Sequence, residues 1–246
     1  MVDNPAGAVA RTAAFLAIWH DIAVGDGHAF ELWHTREHMP ERLSLPGFVR
    51  GRRGRSLRGG RQPWITLYEG SSLDAFASAA YRERLDRPTP WTTRLQPSFL
   101  DFARVACETI TEAGTGVGGA TASFRLRLAG PVRSLATSAP ATAAALVQLD
   151  AVSRVVVGLA RPDVSSGPTR ERELRGGADD SDFDAVVLVD GVDEAALAAC
   201  VPHVRDTLAA TEGVAVEAEG VYALSYLLTA ADLADPVADG GARPRA

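Results

Sequence analysis

The same succession of hydrophobic periods runs through this chain twice, and that repetition constrains the fold more than any single motif. In the first half, Ala13 to Ile22 (AAFLAIWHDI) is a short apolar run stopped by Gly25-Asp26-Gly27, which reads as a buried strand. From His28 to about Arg42, Phe30, Trp33 and Glu37 fall at helical spacing, with Asp26 placed to cap the start and Leu45-Pro46-Gly47 to stop it. Pro40 has no amide hydrogen to give the Arg36 carbonyl, so the last turn is expected to be distorted. Phe48 to Leu57, closed by Gly59-Gly60, and Pro63 to Gly70 (PWITLYEG) read as a strand hairpin. A helix from Ser71 to about Leu85 is broken by Arg87-Pro88-Thr89-Pro90, a short turn carries Trp91 and Leu95, and Phe99 to Ile110 supplies a fourth strand.

After Thr115 to Gly119 (TGVGG), which has linker composition, the series starts again. Ala122 to Leu128 alternates like a strand, Ala136 to Gln148 permits a helix, and Val152 to Ala160 is an apolar strand. Asp163 to Asp182 is polar and reads as an exposed loop. Phe183 to Val189 is a strand, Asp193 to Thr211 a helix, and Val214 to Thr229 a last strand. Each series is βαββαβ, the ferredoxin-like split unit. The expectation is an α+β protein of tandem ferredoxin-like βαββαβ units: residues 1–114 carrying the site, a linker at 115–119, a second unit at 120–230, and a frayed tail at 231–246.

Composition narrows the function classes. A net charge of −6 argues against a general nucleic-acid binder. No apolar run reaches the roughly 18 residues that a membrane crossing needs, and the N-terminus lacks the basic-then-apolar order of a signal peptide, so a cytoplasmic protein without membrane partners is expected. Cys107 and Cys200 are far apart and read as core thiols rather than a disulfide or a thiolate metal site. No phosphate loop, dinucleotide fingerprint or nucleophile elbow is present, and no cofactor is implied. Arg50 to Arg61 (RGRRGRSLRGGR) reads as a solvated hairpin flank, with the alternative that one or two arginines face an anionic ligand. All four tryptophans and four of the five histidines precede Pro97, which places the chemistry in the first unit.

The densest chemistry lies in Phe30 to Arg42 (FELWHTREHMPER). His34-Thr35-Arg36-Glu37-His38 spells H-x-x-E-H, a zinc pattern that would need a third ligand such as Glu108 or Glu112. A second reading is acid–base catalysis: His38, oriented by Glu37 or Glu41, faces the strand-borne His20 across an apolar pocket, and an arginine from Arg50 to Arg55 stabilises an oxyanion. The bland reading makes His34, His38 and Glu41 one solvated helix row and His28 a cap or surface residue, and treats Trp19, Trp64, Tyr68 and Trp91 as core.

WHDIAVGDGHAFELWHTREHMPERLSLPGFVRGRR, WITLYEG and SAAYRERLDRPTPWTTR together resemble small bacterial proteins of the dimeric α/β-barrel superfamily, near its EthD-like group. The EthD-like signature, an aromatic, a histidine, then proline two positions on, falls on Trp33, His38 and Pro40, with the aromatic-to-histidine interval one residue longer than the pattern. The resemblance covers Ala13 to about Glu108 and implies a barrel with helices outside and a ligand pocket inside, the second unit acting as an internal pseudo-dimer partner, with a homodimer of tandems as the alternative. It implies a small-molecule enzyme of cofactor-free acid–base chemistry (isomerase, cyclase, dehydratase or decarboxylase type) on an aromatic, lactone or polyketide-like substrate. The alternatives are a cofactor-free monooxygenase and a non-catalytic binding or scaffolding protein. The expected catalytic residues are His38, His20 and Glu37, the expected substrate contacts Trp33, His34, Arg53, Tyr68 and Trp91, and no metal is expected.

Overall fold

A computed structural model describes residues 12–130, 132–177 and 182–234. The first half contains β1 (Ala14–Ile22), α1 (Gly27–Trp33), a π-helical turn (His34–His38), α2 (Met39–Leu43), β2 (Phe48–Arg55) and β3 (Trp64–Gly70). A 3-10 turn (Leu73–Ala77), α3 (Ala79–Asp86), α4 (Pro90–Leu95) and β4 (Phe99–Gly114) complete it. The second half runs β5 (Ala120–Leu128), α5 (Val132–Leu146), β6 (Val152–Ala160), α6 (Pro162–Ser165), α7 (Arg170–Leu174), β7 (Ala185–Gly191), α8 (Glu194–Ala209), β8 (Val214–Thr229) and α9 (Ala230–Ala234).

The eight strands close into one barrel in the order β1-β3-β2-β8-β5-β7-β6-β4, so each half contributes four neighbouring strands in the ferredoxin-like order. Closure depends on the length of the last strand of each half. The N-terminal part of β4 pairs with β1, and its C-terminal part, from Cys107 to Gly114, crosses to β6. In the same way β8 pairs first with β5 and then, from Ala223 to Thr229, with β2. Among the described residues no strand edge remains open, which removes the usual site of edge-to-edge association.

Alternation along the strands separates three apolar layers. Phe15, Ala17, Trp19, Ile65, Leu67 and Tyr222 point inward and fill the barrel. Ala14, Leu16 and Tyr68 point outward beneath the first-half helices, and Phe124, Val187 and Val189 beneath α5 and α8. Trp19 Nε1 donates to Ser123 at 2.9 Å, joining the first strands of the two halves through the interior.

One end of the interior is ionic. Arg52 of β2 reaches Asp190 of β7 at 2.7 Å, and Arg154 of β6 reaches Glu69 of β3 at 3.2 Å. Each half thus gives an arginine from its second strand to the acid on the other half's third strand. Thr12 and Thr121 donate to Glu69 and Asp190, and Arg50 and Glu112 extend the cluster. The stretch from Arg50 to Arg61 is a solvated flank only in its second part, where Arg55, Arg58 and Arg61 are exposed: Arg50 and Arg52 turn into the barrel, and Arg53 turns toward the helix side, where it is buried. Cys107 is a core thiol, whereas Cys200 is half-buried on α8.

Several elements differ from expectation for local reasons. Asp26 does not cap α1 through its side chain; its carboxylate accepts from Ser98 at 2.5 Å. The helix expected over Ser71 to Leu85 divides at Ser78, which is extended and caps α3 by accepting from the Tyr81 amide. The polar stretch after Asp163 folds into α6 and α7 and packs on the first half with Glu171 buried, instead of remaining exposed. Of the expected tail, 231–234 falls within α9 and 235–246 lies outside the described residues.

Candidate functional site

A cavity of about 40 Å³ lies between the outer face of β1, β3 and β4 and a roof made by the first-half helices together with the α6–α7 segment. That is more room than the ~10–15 Å³ one water requires. It sits outside the barrel wall, because the barrel interior is occupied by packed side chains, so the pocket is not inside the barrel as the resemblance implied.

The helix over the cavity explains why it is lined by histidines. Pro40 cannot donate, and ahead of it the chain forms a π-helical turn in which the Met39 amide reaches back five residues to the His34 carbonyl. Such a turn holds one more residue than an α-helical turn. His34 and His38 stay on one face, with ring centroids 5.7 Å apart, and both are buried. The solvated-row reading of these residues is thereby overturned.

The three imidazoles differ in surroundings. His20, at the end of β1, donates from Nδ1 to the Asp21 carbonyl at 3.2 Å, which leaves Nε2 with the lone pair. Its ring lies among Phe30, Phe99 and Phe102 at 4.9, 4.8 and 6.3 Å. Burial pushes its pKa down to about 3; the Asp21 hydrogen bond opposes the shift, while Arg175 and Arg53 assist it. His34 lies between Arg53, 3.5 Å from Nδ1, and the Tyr68 hydroxyl, 3.4 Å from Nε2. An arginine can only donate, so Nδ1 accepts, Nε2 carries the proton, and the Tyr68 O–H is left to donate elsewhere. His38 stacks on Trp33 at 4.2 Å, and its buried Nδ1 has no hydrogen-bond partner. Burial first, and neighbouring cations second, hold His34 and His38 well below the ordinary range, so all three rings are neutral near pH 7.

Arginines from both the floor and the roof also line the cavity. Arg42, almost wholly buried, donates to Glu171 of α7 at 2.5 Å, and Arg104 donates to the Tyr81 hydroxyl at 3.0 Å and to the Ser165 carbonyl at 2.7 Å. Arg175 donates to Gln96 at 2.8 Å and lies over the Phe102 ring at 3.9 Å.

No protein-family model matches the chain, nor does any curated protein sequence. Solved structures do. An anthrone oxidase-like protein superposes with a TM-score of 0.58 at 11% identity, covering 89% of this chain and 94% of its own. A provisionally designated monooxygenase from Fusobacterium nucleatum gives 0.54 at 8% identity, with 89% and 95% covered. A variant chlorite dismutase from Candidatus Nitrospira defluvii gives 0.51 at 7% identity, with 88% and 92% covered. The fold is that of the dimeric α/β barrels. In this dimeric α/β barrel both halves of the closed sheet belong to one polypeptide.

Of the residues singled out from sequence, His20, His34, His38, Trp33 and Tyr68 line the cavity of this barrel. Glu37, Arg53 and Trp91 do not. Glu37 turns to α4, accepting from Thr89 at 2.5 Å and Thr92 at 3.4 Å. Arg53 lies behind His34, bonded to Ser225, Thr35 and the Glu31 carbonyl. Trp91 packs against the cluster formed by Ile22, Phe30 and Trp64. The zinc spelling is also dispersed: Glu37 is engaged with threonines, Glu112 with Arg154 and Glu108 with Arg161. Among the described residues no group of three or more His, Cys, Asp or Glu side chains is arranged to hold a metal.

Sequence reasoning missed Arg42, Arg104, Glu171 and Arg175. The second half supplies part of the cavity, contrary to the expectation that it only completes the architecture. Glu171 and Arg175 stand in a polar stretch without hydrophobic period, and a solitary arginine such as Arg104 in a strand carries no local signal.

Proposed function

We propose that this protein is a cofactor-free, small-molecule enzyme that removes a proton from a carbon next to the carbonyl of a ring-bearing substrate, or conjugated with that carbonyl through an aromatic ring. The observation that carries the reading is the fixed tautomer of His20, whose Nε2 lone pair is held in an aromatic box on the wall of the cavity. With no negative charge beside it this imidazole is a weak base, because burial strips its protonated form of solvation. An enolate formed beside it supplies the missing negative charge and raises its proton affinity as the reaction proceeds. The Tyr68 O–H, left as a donor by the His34 tautomer, is the group to stabilise the enolate oxygen. His38 is the second proton carrier, and Trp33 and Phe30 are aromatic contacts for the substrate ring. The extra residue between Trp33 and His38, taken up by the π-helical turn, supports placing the chain near the EthD-like group.

Return of the proton at another atom makes the reaction an isomerisation. Capture of the enolate by dioxygen makes it an oxygenation, in which anthrone and dioxygen give anthraquinone and water. The likeness to an anthrone oxidase-like protein supports trying the second course. The test follows hydrogen–deuterium exchange at the methylene of anthrone, and of the smaller β-tetralone, without oxygen, and then oxygen uptake in air. Exchange faster than in buffer is expected, falling about 10²–10⁴-fold in His20→Ala. Exchange no faster than in buffer, or unchanged in His20→Ala, would remove the proposal, and oxygen uptake in air separates the two courses.

A further inference from the structure

The cavity also has a charge pattern that the proton-transfer reading leaves unused. Among the described residues lining the cavity are four arginines and one carboxylate, Glu171, while the three lining histidines are neutral near pH 7. Arg42 and Arg104 both approach one feature, the Tyr81 ring, with guanidinium carbons 5.5 and 5.7 Å from its centroid. Arg104 hydrogen-bonds to neutral acceptors, the Tyr81 hydroxyl and the Ser165 carbonyl. Arg42 is 1% exposed. Its Nη2 is bonded to Glu171, but its Nη1, 3.5 Å from Glu41, makes no hydrogen bond. A buried guanidinium N–H that has only a long ion pair with Glu41 and no hydrogen bond gains from an acceptor that a ligand supplies.

From this geometry we infer that the cavity takes a ring compound bearing an anionic group, a carboxylate or a phenolate, which binds at Arg42 and Arg104 beside Tyr81. The inference rests on the ring-substrate reading above and names the chemistry at the far end of that substrate. Planar, charge-assisted pairing with guanidinium suits such an anion and rejects its neutral isostere. Glu171 already occupies one face of Arg42, so it competes with the ligand's anion for the same cation. Its helix α7 belongs to the second half, and the first residue of that helix is tied to Asp86 by a backbone amide. Anion binding at Arg42 is therefore linked to how firmly the second half's roof holds.

The test is calorimetric titration of the full chain with benzoate and with benzamide, which share shape and differ in charge. Benzoate is expected to bind at least about tenfold more tightly than benzamide, a difference of about 1.4 kcal/mol. Arg104→Gln, at a half-buried position, should bring the ratio close to one. Glu171→Gln should tighten benzoate several-fold while leaving benzamide unchanged. Equal affinities, a ratio unaffected by Arg104→Gln, or no binding of benzoate at millimolar concentration would each overturn the inference. Because deuterium exchange with neutral ketones is scored separately, failure of anion recognition and failure of proton abstraction are distinguishable.

Discussion

Three histidines kept neutral by burial make stability depend on pH in a direction that can be worked out. In the unfolded chain each imidazole returns to its ordinary value near 6.5, whereas in the folded protein His20 lies at about 3 and His34 and His38 well below 6.5. Between these limits the folded state binds fewer protons than the unfolded state, so the contribution is complete above about pH 6.5 and is lost as pH falls toward the folded values. On moving from about pH 7.5 to about pH 5.5, His20 should remove about 1.4 kcal/mol, and His34 and His38 should add losses of the same sign. The His20 loss alone is noticeable against the ~5–15 kcal/mol that holds a typical domain folded. Glu69 acts in the same sense only at lower pH: burial opposes its ionisation, but Arg52, Arg154 and Arg50 hold it at about 2 against an ordinary 4.5. Urea denaturation at the two pH values, followed by tryptophan fluorescence, measures the loss, and His20→Leu should reduce it by about 1.4 kcal/mol. Equal midpoints at the two pH values, or an undiminished loss in His20→Leu, would refute the reasoning that burial keeps these rings neutral.

Other substitutions probe the packing and the ionic end of the barrel. In Gly158→Ala the new methyl would stand 2.5 Å from Phe15 Cε1 and 2.8 Å from Cys107 Cβ, inside the filled barrel, and should cost about 1–3 kcal/mol in denaturant titrations. Arg154→Met removes a partner from Glu69, Glu112 and Asp190 at once, and the expected loss is about 3–5 kcal/mol; a change under about 1 kcal/mol would mean that the cluster is not coupled as drawn. Asp193→Ala deletes the carboxylate that accepts from the Ala196 amide at the start of α8, and should lower stability by about 1 kcal/mol without altering benzoate binding.

Local periodicity determined the units of this protein. The apolar runs of β1, β3 and β6, the turn glycines, and the breaks at Pro46 and Pro88 specify strands and helices through interactions between residues close in sequence, and their order already implied two ferredoxin-like sheets. Pro40 announced a distorted helix for the same reason: a missing donor is a property of one residue. Closure of the sheets was another matter. It depends on the C-terminal part of β4 finding β6 and that of β8 finding β2, pairings between distant segments that no window of sequence contains.

The site divides along the same line. His20, Trp33, His34, His38 and Tyr68 could be picked out by residue type, but not their protonation, which follows from burial that only the packed structure produces. Arg50 and Arg52 looked solvated because their charges are evident in sequence, while the acids that accompany them inside the barrel lie on β3 and β7. The cationic lining and its one carboxylate were decided by tertiary structure alone, since Arg42, Arg104 and Glu171 meet only when a polar segment of the second half folds over the first.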